Sequence, residues 1–119
     1  MKSLVDYILE SKTGTLHTTW GELFLSYAKQ NKFLSGYKEV SNKLLKDIAE
    51  EENFCHANSN GEGIEPLTFD ELISLWKNVD PITVTSYKKG SKYRHVIKDK
   101  SETYMFETDK ELYKKHTYV

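Results

Sequence analysis

The chain has 119 residues with 17 basic and 18 acidic side chains, for a formal net charge of -1. That length supports one hydrophobic core rather than two, and an aromatic fraction of 13% argues against general disorder. The lone cysteine, Cys55, excludes an internal disulfide or a thiolate cluster, and no apolar run approaches the ~20 residues that a membrane helix needs.

The expectation is therefore a single compact domain over residues 1–119, cytoplasmic or within a viral particle, with no membrane contact. Its charge is unevenly spread. Residues 1–79 carry 8 basic and 12 acidic side chains, whereas residues 80–119 carry 9 and 6.

Ser3 and Asp6 form a partial capping box ahead of Leu4, Ile8 and Leu9, which predicts a short first helix that needs a surface to lie on. Residues 11–15, Ser-Lys-Thr-Gly-Thr, read as a turn. Thr19 and Glu22 then cap a helix over residues 20–31, whose Trp20, Leu23, Phe24 and Tyr27 share one face. Residues 32–36 break it. Tyr37, Val40, Leu44 and Ile48 mark a third helix ending near Glu52, so the pair resembles a hairpin or a helix-turn-helix corner.

Residues 55–67 form the least regular stretch, rich in Asn, Ser and Gly. Thr68 with Glu71 is the cleanest capping box and predicts a fourth helix to about Asn78, closed by Asp80-Pro81. From Ile82 onward the pattern changes to period two. Strands are expected over residues 82–87, 92–97 and 102–107, with turns at 88–91 and 99–101. The fold class is therefore α+β: about four N-terminal helices, over residues 3–78, packed with a C-terminal three-stranded antiparallel β meander over residues 82–107. A tail follows from 109 to 119.

The meander is basic. Between Tyr87 and Lys100, six basic side chains stand against one acid, Asp99. Lysines on a hairpin can follow a phosphate backbone while Tyr87 and Tyr93 stack on bases, which is the winged-helix-like nucleic-acid reading. Alternation, however, puts Lys92, Arg94, Val96 and Lys98 on one face and Tyr93, His95 and Ile97 on the other, as an ordinary amphipathic strand requires. The acidic run Glu50-Glu51-Glu52 at the end of the third helix also repels phosphates.

A small ribonuclease would recruit His95, Arg94, Lys92, Tyr104 and Glu107 for proton transfer and phosphate stabilisation, but adjacent His95 and Arg94 point to opposite faces. Cys55-His56 offers two adjacent metal donors that rarely share one tetrahedral site. The segment Asn58-x-Asn60-x-Glu62-Gly63 looks like the first half of an EF-hand loop, yet Phe69 stands where that family has its bidentate Glu. No catalytic, cofactor or metal residues are assigned.

The leading expectation is a non-enzymatic protein-interaction or assembly protein. Tyr7, Tyr113 and Tyr118 would supply apolar anchors, and Lys88, Lys89, Lys92 and Arg94 would meet an acidic protein surface. Self-assembly fits the same reading. The expected form is a small viral structural or host-modulating subunit; the opening Met1-Lys2-Ser3-Leu4, followed by Tyr7-Ile8, resembles the starts of some small bacteriophage proteins but is too short and degenerate to identify a family.

Overall fold

Three polar residues start the three helices. Thr19, Ser41 and Thr68 are extended N-caps whose hydroxyls accept from the backbone N–H of Glu22, Leu44 and Glu71. They open α1 (Trp20–Gln30), α2 (Asn42–Glu51) and α3 (Phe69–Lys77) in a computed structural model that describes residues 10–110. A single 3₁₀ turn, Lys32–Leu34, follows α1. The six strands are β1 (Glu10–Thr18), β2 (Cys55–Ala57), β3 (Gly63–Pro66), β4 (Ile82–Lys89), β5 (Lys92–Lys98) and β6 (Thr103–Thr108).

All six form one antiparallel sheet in the order β1-β4-β5-β6-β2-β3. Among the described residues, the expected four helices followed by a three-stranded meander is thus corrected to three helices interleaved with a six-stranded sheet. The meander β4-β5-β6 is present, but as the interior of that sheet. Residues 11–15, expected as a turn, lie in β1 and pair with β4 across a bulge between Lys12 and Gly14. The stretch 55–67, expected to be irregular, supplies β2 and β3.

The physical reason is shared. Ser, Lys, Thr and Gly have turn-type local preferences, but the exposed ladders of β4 and β6 offer backbone donors and acceptors that a polar segment can satisfy. The first expected helix and the tail beyond Lys110 lie outside the described residues. The third expected helix is shorter at its start: Tyr37 and Val40 precede α2 and pack against the core as chain entering it.

One face of the sheet carries the core. Val84, Ile97 and Tyr104 form a row across β4, β5 and β6, and Ser86, His95 and Phe106 form the next. The aromatic side of α1 lies on these rows. Trp20 meets Tyr104 edge-on at 5.0 Å, Tyr27 meets Phe54 and Phe106 at 4.9 and 5.5 Å, and Phe54 stacks on Phe106 at 4.3 Å. Leu44, Leu45 and Ile48 of α2 and Leu72 of α3 complete it.

The other face is closed in part by the β2–β3 loop. Val96 and Met105 face away from the helices yet are only 7% and 8% exposed. Gly61, with φ of 81°, lies so close to Val96 that a Cβ there would stand 2.8 Å from Val96 Cγ2. Among the described residues no helix is long and apolar enough to cross a membrane.

Candidate functional site

The β4–β5 hairpin turns through Gly90, whose φ is 62°, and places Lys88, Lys89 and Lys92 together, all exposed. Lys89 and Lys92 are direct partners across the ladder. Lys92 Nζ lies 4.0 Å from Asp109 Oδ1 at the end of β6. Arg94 belongs elsewhere. It stands opposite Tyr87 and Glu107 on the face away from the helices, its side chain is 13% exposed, and its Nε is 3.7 Å from Glu107 Oε2. The structure therefore gathers three of the four expected basic residues, while Tyr7, Tyr113 and Tyr118 lie outside the described residues.

His95 is fully buried, with Nδ1 2.7 Å from Ser86 Oγ and Nε2 2.7 Å from Thr108 Oγ1. The Thr108 hydroxyl donates its one proton to the Lys110 carbonyl, so it accepts from Nε2–H, and Ser86 donates to Nδ1. The ring is neutral and satisfied on both sides. Burial pushes its pKa down to about 4. Its neighbour Arg94 points to the opposite face, so the two do not meet.

Next to Lys92 lies a cleft of about 630 Å³. Three polypeptide ends bound it: Gln30 and Asn31 where α1 stops, Glu51 and Glu52 where α2 stops, and Glu107 and Thr108 at the end of β6. A hydrogen-bonded net ties the three together. The Tyr27 hydroxyl and Asn31 Nδ2 both donate to Glu51 Oε2, at 3.0 and 3.1 Å. Asn53 Nδ2 donates to the Tyr27 oxygen at 3.0 Å and to the Glu107 carbonyl at 2.7 Å, and its Oδ1 accepts from the Glu107 N–H at 3.1 Å.

Glu51 Oε1 receives no donor although it is shielded from solvent. Burial raises the Glu51 pKa, against the lowering effect of its bonds from Tyr27 and Asn31. Tyr27 is likewise pushed up, to about 12, chiefly by burial. Glu52 closes α2 in the left-handed region with φ of 57°.

A second polar pair lies near the other end of the sheet. His56 Nε2 of β2 contacts Glu71 Oε2, while Glu71 Oε1 accepts from the Thr68 N–H at 2.9 Å. The backbone bond at Thr68 is the main reason that the Glu71 pKa is lowered. This pair joins the start of α3 to β2. Cys55 faces the opposite side of the sheet, beside Met105, and burial raises its thiol pKa.

Asn58 spends its side chain inside its own loop. Oδ1 accepts from the N–H groups of Asn60 and Glu62, at 2.9 and 3.0 Å, and Nδ2 donates to Glu62 Oε1. Among the described residues no three His, Cys, Asp or Glu side chains gather as a metal site requires.

Sequence reasoning did not find the cleft. Its net joins positions 27, 31, 51, 53 and 107, which share no spacing, and the one visible trace was the acidic run at 50–52. Comparison of the chain with protein-family models, curated proteins and solved structures returned no match.

Proposed function

We propose that this chain is a non-enzymatic binding protein whose β4–β5 hairpin docks on an acidic surface of a protein partner. The observation that carries this reading is the grouping of exposed Lys88, Lys89 and Lys92 around a single glycine turn. Lys89 and Lys92 stand directly across the ladder, which concentrates positive charge at the exposed end of the hairpin. A complementary acidic surface would be attracted to that charge and meet it faster.

Nucleic-acid binding through the same lysines is the second reading. It is disfavoured by Glu51, Glu52, Glu107 and Asp109, which line the neighbouring cleft and repel phosphates.

The two separate in one experiment. Fluorescence anisotropy would compare a labelled polyglutamate peptide with a short labelled duplex at low and moderate salt. The variant Lys88→Ser/Lys89→Ser/Lys92→Ser should weaken peptide binding by about tenfold or more. A control, Lys38→Ser/Lys43→Ser/Lys46→Ser, removes the same charge from exposed positions elsewhere and should change little. Tighter binding to the duplex would select the second reading, and equal losses in both variants would defeat a hairpin-specific site.

A further inference from the structure

We infer that Asn60 is a modification site, where asparagine converts to aspartate and isoaspartate through a cyclic imide, and that the Asn58 side chain holds this reaction back. Neither residue belongs to the lysine hairpin, so the site stands or falls apart from the docking reading.

The local sequence supplies the reactivity. Asn60-Gly61 is the one Asn-Gly pair in the chain; the other five asparagines precede Lys32, Lys43, Phe54, Ser59 and Val79. Asparagine is thermally labile, and the backbone nitrogen of the next residue is the nucleophile that attacks it. Glycine has no Cβ to shield that nitrogen and leaves the backbone free to bring it round. Asn60 is exposed, so water reaches its side chain.

The reaction balances with water as its one co-reactant. The Gly61 nitrogen attacks Asn60 Cγ, forms an N–Cγ bond and gives up its proton. The Cγ–Nδ2 bond breaks, and ammonia leaves with that proton. Water then opens the imide at either carbonyl. One opening leaves aspartate; the other leaves isoaspartate, in which the main chain runs through the former side chain.

The folded connection opposes the first of these steps. The Gly61 N–H donates to the Asn58 carbonyl at 2.9 Å, which engages the hydrogen that must be lost. The N–H groups of Asn60 and Glu62 both donate to Asn58 Oδ1, at 2.9 and 3.0 Å, and the Asn58 N–H donates to the Glu62 carbonyl at 3.0 Å. One side chain thus fixes the backbone before and after the nucleophile. Gly61 also lies against Val96, where an added Cβ would stand 2.8 Å from Cγ2, so the nitrogen has little room to turn toward Asn60 Cγ. Asn60 therefore reacts when the connection opens. That opening is local, because Asn58, Ser59, Asn60 and Glu62 are all exposed.

The products do not refit. Isoaspartate adds a carbon to the main chain between the two N–H groups that Asn58 Oδ1 holds, and either product places a new carboxylate close in sequence to Glu62. Conversion therefore releases Gly61 from Val96, which is only 7% exposed with Gly61 against it. An apolar residue on the face of the sheet away from the helices is then uncovered.

The test incubates the full chain in mildly alkaline buffer, folded and in urea. Peptide mass spectrometry follows each asparagine, and an isoaspartate-specific methyltransferase counts isoaspartate. In urea, position 60 should convert first of the six asparagines. In the folded chain its conversion should be slower by about tenfold or more. Asn58→Ala removes the acceptor and should speed conversion in the folded chain by about threefold or more, with the rate in urea unchanged. Asn58→Asp keeps an acceptor oxygen and should stay closer to the parent rate. Should Asn58→Ala unfold, the parent chain compared folded and in urea still tests the restraint. Val96 methyl signals in NMR spectra should shift as position 60 converts. Earlier conversion of another asparagine in urea, equal rates for the folded and unfolded parent, an unchanged rate in folded Asn58→Ala, or unmoved Val96 methyl signals would overturn the inference.

Discussion

The side chain of Asn53 binds the backbone of Glu107 as a neighbouring strand would. Its Oδ1 accepts the Glu107 N–H at 3.1 Å while its Nδ2 donates to the Glu107 carbonyl at 2.7 Å. One amide thus extends the sheet's hydrogen bonding beyond β2, and its second donor hydrogen reaches Tyr27 of α1. Asn53 is therefore the pin between the end of the sheet and the helical layer.

Replacing Asn53 with Ala removes both backbone bonds and leaves partly buried groups without partners. A loss of about 2 kcal/mol is expected, read as a lower urea midpoint with unchanged slope. Asn53→Asp keeps only the acceptor and adds a carboxylate near Glu51 and Glu107, so at neutral pH it should be no more stable than Asn53→Ala.

His95 predicts an acid-sensitive core. Its folded pKa is about 4 against an ordinary 6.5, so below 6.5 the unfolded chain takes up a proton that the folded chain refuses. Stability from this group is complete above pH 6.5 and is lost as pH falls toward 4, by about 3 kcal/mol. Urea unfolding at several pH values should show this slope, and His95→Gln should flatten it between those limits. An unchanged slope would remove His95 as its source.

The β2–β3 loop makes a claim about space. Gly61→Ala adds a Cβ at 2.8 Å from Val96 Cγ2 and places alanine at φ of 81°. Together these should cost about 1 to 3 kcal/mol. Adding Val96→Ala removes the clash but not the backbone strain, so in a double-mutant cycle the combined loss should be smaller than the sum of the two single losses.

The start of α3 separates a cap from a tertiary contact. Thr68→Ala should cost about 1 kcal/mol through loss of the cap. Glu71→Ala should cost more, because it also releases His56 and so loosens α3 from β2. A cycle with His56→Ala measures that coupling, which should be modest, at about 0.5 kcal/mol or somewhat above, because both side chains retain solvent access. The lowered Glu71 pKa means that its contribution is present at neutral pH and fades as acid protonates it.

Legibility from sequence tracked the range of the forces involved. The α3 capping box is a four-residue device, and β4, β5 and β6 alternate strongly enough to be read one strand at a time. β1 has no such alternation at Ser11-Lys12-Thr13-Gly14 and exists through pairing with β4, about seventy residues away. β2 is three residues long, and Asn58-x-Asn60-Gly61 after it reads equally well as a loop or as the hairpin end it proves to be. Asn60-Gly61 does not form a two-residue hairpin turn, since the connection runs over residues 58–62 and of the pair only Gly61 takes a positive φ.

The basic hairpin shows the same division. Composition and alternation alone determined that Lys88, Lys89 and Lys92 cluster at a turn and that Arg94 and His95 diverge, because charge and a period of two are local properties. Only the tertiary structure decided that Arg94 faces Glu107, that His95 is a satisfied core residue, and that Glu51 lines a cleft with one oxygen lacking a donor. Each of those facts depends on desolvation and on partners brought from distant parts of the chain, and neither is encoded in the spacing of neighbours.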